Sequence, residues 1–122
     1  MNAFRYTSLI LAVLWTAFIV YGLLSEPSGI PRFPWLAKPG VDKVIHTILF
    51  GVEASLLVFT FPNISGKLVV FSTLIWCFLL GAFLEAVQYY WVSGRTGDVF
   101  DLLADMVGAM IGVGVIKLIM KK

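Results

Sequence analysis

The sequence predicts an all-α integral membrane protein: a four-helix bundle with an extended Pro-rich loop between helices 1 and 2. Three observations carry that expectation. Of the 122 residues, 60% are hydrophobic and only 13% are charged, whereas a soluble domain has about a quarter of its residues charged. The mean hydropathy is +0.96, so lipid is the expected solvent. Four apolar stretches each approach the roughly 20 residues that a helix needs to cross the hydrocarbon core.

The first stretch runs from about Tyr6 to Leu24. It follows Arg5 as a secretory leader would, but it is longer than the usual leader core and no small-x-small cleavage pair follows it. It is therefore expected to stay as a helix. The second stretch, about Val41 to Phe61, stops at Pro62-Asn63, a strong breaker. The third runs from about Lys67 to Trp91, and the fourth from about Val99 to Met120, closing on Lys121 and Lys122. Inside a bilayer, backbone groups must be paired within helices or a closed barrel, and runs this long without strand alternation choose helices. Between the first two spans, Pro27, Pro31, Pro34 and Pro39 exclude a helix. That segment is expected to lie extended at the membrane surface, with Phe33 and Trp35 at headgroup level. The chain reads as a single domain, residues 1–122, without internal repeat.

Charge sets the orientation. Four spans place both termini and the second connection on one side, which holds Arg5, Lys67, Lys117, Lys121 and Lys122. The other side holds Arg32, Lys38, Lys43 and Arg95, two of them beside acids. The positive-inside bias then puts both termini in the cytoplasm. A net charge of +2 and the lack of a basic run interleaved with aromatics exclude a nucleic-acid partner. The single cysteine, Cys77, excludes an intrachain disulfide. Tyr89, Tyr90 and Trp91 read as an interfacial aromatic belt.

The acidic residues are the informative part. All seven carboxylates fall in the half of the molecule opposite the termini. At about 100° per residue, Asp98, Asp101, Asp105, Gly108 and Gly112 share one stripe on the fourth helix, roughly 80° wide. Its glycines would let another helix backbone approach closely. Gly81, Glu85 and Gln88 form a similar stripe on the third helix, and Asp42, His46 and Glu53 share a face on the second. Charged groups within a span cost about 2.5–3.5 kcal/mol each on insertion scales, so the three polar faces are expected to turn inward on a common pocket. Lys43, Arg95 and His46 are the available partners, with Arg95 the better bridge because its planar fork holds two carboxylates. Glu53 lies roughly 16 Å along the axis from Asp42, near the bilayer centre. A charge there is costly, so Glu53 is expected to be a neutral side chain hydrogen-bonded across helices, with a proton-handling role as the alternative.

At these residues the chain resembles a known family. Asp42-Lys43-Val44-Ile45-His46, Glu85-x-x-Gln88, Arg95-x-x-Asp98-x-x-Asp101 and Gly108-x-x-x-Gly112 are similar in order and spacing to the VanZ-like family of bacterial membrane proteins, over about Ser25 to Gly114. The resemblance implies a multi-pass protein of the bacterial plasma (inner) membrane and a role at the cell envelope, since the founding member is linked to low-level teicoplanin resistance. It carries the polar motif onto Lys43, His46, Glu85, Gln88, Arg95, Asp98 and Asp101. Position 105, often asparagine in the family, is aspartate here, and Glu53 is not part of the pattern.

Several functions fit this constellation. The first is a site for an envelope lipid or a glycan-linked cell-wall precursor, open to the outer leaflet, with Lys43 and Arg95 on an anionic group. In a catalytic version, His46 is the general base, steered by a carboxylate such as Glu85, although neither Ser93 nor Cys77 has a nucleophile's setting. No metal or cofactor is expected; a divalent cation held by His46, Glu85, Asp98 and Asp101 is the weaker alternative. A transporter would use Glu53 as proton carrier and would require an oligomer. The plainest reading is a buried salt-bridge clamp holding helices two, three and four together.

Overall fold

The computed structural model describes residues 2–25, 40–61, 66–92 and 98–120. They form four helices and no strand: α1 (Ala3–Leu24), α2 (Val41–Thr60), α3 (Gly66–Trp91) and α4 (Val99–Met120). The Pro-rich connection, the Asn63 turn, and the loop carrying Ser93 and Arg95 lie outside the described residues.

Each boundary has a local cause. α1 begins earlier than the apolar run alone implies, because Asn2 caps it, its side-chain oxygen accepting from the Arg5 amide at 3.0 Å. α2 starts from Gly40 at φ +87°, a left-handed conformation that favours glycine. Asp98 caps α4: its carboxylate accepts from the Phe100 amide at 2.8 Å and its carbonyl from the Asp101 amide at 3.0 Å.

All four helices are long and apolar enough to cross a membrane, and the protein is a multi-pass membrane protein. Its burial pattern is that of a chain dissolved in lipid. Large apolar side chains such as Leu14, Phe71, Phe83 and Leu118 face outward, while Ser8, His46, Glu53, Thr60, Gln88, Asp101 and Asp105 are buried. α2, the least apolar of the four, is also the most enclosed, since a helix carrying ionisable groups must turn them away from lipid. It packs against all three others, α3 also touches α1 and α4, and α1 and α4 do not meet.

The tightest seam is α2 on α4. A Cβ at Gly108 would collide with the Thr47 carbonyl, and one at Gly112 with the Gly51 carbonyl. The glycine stripe read from α4 is therefore spent on α2, where hydroxyls cover the carbonyls that face across the seam. Ser55 Oγ lies 2.8 Å from the Gly51 oxygen and 3.1 Å from that of Gly112. On α3, Gly81 makes room for Asp105, whose Oδ2 would lie 2.8 Å from an added Cβ. Phe50, Ala54, Leu84 and Ala109 fill the centre between these contacts.

Candidate functional site

The close α2–α4 seam brings the first two turns of each helix together, and their charged side chains meet there. The Lys43 ammonium lies 2.5 Å from Asp101 Oδ1, 2.8 Å from Asp98 Oδ2 and 3.4 Å from Asp42 Oδ2. One turn deeper, His46 Nδ1 is 2.7 Å from Asp105 Oδ1. The other ring nitrogen, Nε2, lies 3.6 Å from Asp101 Oδ2 and 3.8 Å from Asp42 Oδ1. Exposure falls steadily inward. The Asp42 side chain is 54% accessible, that of Asp101 8% and that of Asp105 1%. The cluster is thus a polar wedge, most exposed at Asp42 and least at His46 and Asp105.

Each position follows from local structure. Asp42 and His46 are one turn apart on α2, as are Asp101 and Asp105 on α4, so the two pairs face each other across the seam. Asp98 stands just outside the membrane-spanning helix. The Lys43 ammonium beside it, followed by the Phe100 amide, holds its carboxyl below the usual carboxylate range. α3 contributes Glu85, whose Oε2 accepts from the Asp98 amide at 2.8 Å. Its Oε1 is buried with no hydrogen-bond partner among the described residues.

Asp42, Lys43, His46, Glu85, Asp98, Asp101 and Asp105, all anticipated from the sequence, converge here. Among the described residues Gln88 makes a different contact: its amide donates to the Leu23 carbonyl at 2.5 Å and ties α3 to the end of α1. Arg95, expected as the main bridge, lies outside the described residues, and Lys43 bridges α2 to α4. The carboxylate that orients His46 is Asp105, where the sequence pointed to Glu85. The reason is register. Glu85 is level with the start of α4, and the deeper Asp105 reaches Nδ1 through the gap left by Gly81.

Glu53 lies apart from this wedge and is fully buried. Its Oε1 is 2.6 Å from the Thr16 hydroxyl on α1 and 3.1 Å from Trp76 Nε1 on α3, the cross-helix bonding expected of it. Sequence reasoning missed Thr16 and Trp76. The only signal was a hydroxyl and an indole inside apolar spans at matching depth.

A family model described as VanZ/LLP1 matches residues 2–120. The chain belongs to the VanZ/LLP1 family. No curated protein and no solved structure matches it. In this VanZ/LLP1 chain the residues of the family-like motif are largely those of the wedge, and their geometry limits the chemistry. His46 meets Asp105 through Nδ1 and faces the Asp101 and Asp42 carboxylates through Nε2, so each ring nitrogen has a carboxylate oxygen with which to share a proton. Two sets of three ligand atoms lie within 4.8 Å of one another, Asp42–His46–Asp101 and His46–Glu85–Asp105. A cation in the first set would compete with the Lys43 ammonium, already bonded to two of its members.

Proposed function

We propose that the polar wedge binds the head of an envelope lipid or lipid-linked glycan, held through amine or hydroxyl groups. In this reading the wedge faces the outer side of the bacterial plasma membrane and both termini lie in the cytoplasm, as the distribution of Lys and Arg favours. The observation that carries the proposal is the orientation of His46. A buried carboxylate fixes its Nδ1, and its Nε2 faces the buried Asp101 and the exposed Asp42 at 3.6 and 3.8 Å. The excess of carboxylates argues for a ligand that donates hydrogen bonds. Lys43 is already engaged by Asp98 and Asp101, so it is poorly placed to take a phosphate. Interception of a glycopeptide such as teicoplanin, or of its lipid-linked target, is the physiological role that this site chemistry and the family relationship support.

A second reading has its own observation. The Asp105–His46 pair has the geometry of a base and its orienting carboxylate, so the same site could deprotonate a hydroxyl of the bound head as a membrane-embedded enzyme.

Two substitutions separate binding from clamping. His46→Asn keeps a donor near the Nδ1 position for Asp105 but removes Nε2; Asp42→Asn removes an exposed charge. Both are expected to melt in detergent within a few degrees of the wild type, yet to lose co-purified headgroup lipid and any effect on teicoplanin susceptibility. Retention of both properties would refute the proposal. Parallel loss of lipid and of thermal stability would leave the wedge as a clamp.

A further inference from the structure

Lys43, Thr47, Gly51 and Ser55 follow one another at four-residue intervals down one face of α2, with Gly108 and Gly112 of α4 opposite. The Lys43 ammonium at the top is tied to Asp98 and Asp101. One turn below it, a groove of about 390 Å³ opens on the outer side of the α2–α4 seam. Its floor is Thr47, Gly51, Ser55, Gly108 and Gly112, and its walls are Ile48, Val52, Ile111 and Val115, all exposed.

We infer that this groove seats one hydrocarbon chain of the lipid whose head occupies the wedge, so that the ligand enters sideways from the bilayer. The inference rests on the headgroup reading above and adds the acyl chain and its route. Three observations support it. The groove begins one helical turn below the wedge, since Thr47, the first residue of its floor, follows Lys43 by four positions on the same face of α2. Its length also fits: from Thr47 to Leu56 it follows α2 for about 13 Å, close to the depth of one leaflet of a hydrocarbon core about 30 Å thick.

The third observation is the chemistry of the lining. The Thr47 and Ser55 hydroxyls each face backbone carbonyls, so the floor presents no unpaired donor and suits methylene groups. The same seam argues against a second copy as occupant. Small-residue stripes attract a helix when their backbones are free. Here the α4 glycines face Thr47 and Gly51 of the same chain. What remains is a cleft between the branched side chains of Ile48, Val52, Ile111 and Val115. At its head, the exposed Asp42 carboxylate suits an amine-bearing lipid.

The test uses the full chain in mild detergent with palmitoyl-oleoyl phosphatidylethanolamine, read by native mass spectrometry. The double variant Val52→Phe, Ile111→Phe fills the groove from its walls and leaves the wedge untouched. It is expected to retain at least ten-fold less bound lipid than the wild type while melting at a similar temperature. Wild-type retention by this variant, with loss in Asp42→Asn, would overturn the groove and spare the headgroup reading. The reverse pattern would sink the headgroup reading and spare the groove. If the double variant does not fold, Val115→Trp decides at the deep end. It should lower the preference for sixteen-carbon over ten-carbon chains several-fold, and an unchanged preference would refute the inference. A groove variant that loses lipid only as a dimer becomes a monomer would identify a second copy as the occupant and also refute it.

Discussion

At the end of the bundle where α1 and α3 begin, the cations stay at helix termini. The Arg5 guanidinium donates to the Phe59 carbonyl near the end of α2 and lies 4.2 Å from the Phe59 ring centroid. A cation there complements the partial negative charge of the α2 C-terminus and also gains from the ring face. At the opposite end the charges are drawn inside. Asp101, His46 and Asp105 are buried, where an unpaired charge costs several kcal/mol. The first arrangement costs little and is explained by helix capping. The second persists only because each buried group has a partner, and a bundle needing nothing but cohesion would be packed more cheaply with Leu and small residues. The contrast is the reason for placing the proposed function at the acidic end.

Removing single members tests that contrast. Asp105→Ala should have the largest effect, about 3 kcal/mol of lost stability in detergent unfolding, because it strips a buried partner from His46. Asp105→Asn keeps an acceptor and should cost about 1 kcal/mol or less. An Asp105→Ala variant as mild as Arg5→Ala would erase the distinction between the two ends. Gly108→Ala should follow at about 2 kcal/mol, since the new methyl meets backbone that cannot turn aside. Gly114→Ala, with open space around it, should be neutral or slightly stabilising, and equal losses at both positions would refute the account of the α2–α4 seam.

Smaller effects sharpen the picture. Lys43→Met should cost about 1–2 kcal/mol, a value reduced because its side chain is 36% exposed and solvent screens the pair. Arg5→Ala should cost less than about 1 kcal/mol. The smallest effect concerns pH. Lys43 holds the Asp98 carboxyl below its ordinary range, so this contact contributes throughout the neutral range and is lost as pH falls through the lowered value. Thermal melts compared at pH 7 and pH 3 should show a drop on acidification that Asp98→Asn makes shallower. An identical acid response in the variant would show that the stability comes from elsewhere.

Much of the site was legible in the residues before any coordinates. Periodicity put Asp101, Asp105, Gly108 and Gly112 on one stripe, and the insertion cost of charge implied that this stripe faces inward. Both hold among the described residues. Who pairs with whom was not legible. Lys43 makes the contact across the seam between α2 and α4, while Arg95, which looked the better bridge on the chemistry of its fork, lies outside the described residues. Glu85 looked like the partner of His46, but Asp105 takes that place because Gly81 leaves room for it. Gln88 shares a stripe with Glu85 and turns to Leu23 instead, since α1 passes at that height.

The sequence by itself determined four spans, their order, and which sides of three helices are polar. These properties depend on composition and on a repeat of 3.6 residues, both local to each segment. The tertiary structure alone decided that the α4 glycines are spent on α2, that His46 turns one nitrogen to Asp105 and the other to Asp101 and Asp42, and that Glu53 joins Thr16 to Trp76. Those outcomes depend on the relative height and rotation of neighbouring helices, which are set by how all the side chains interlock at once.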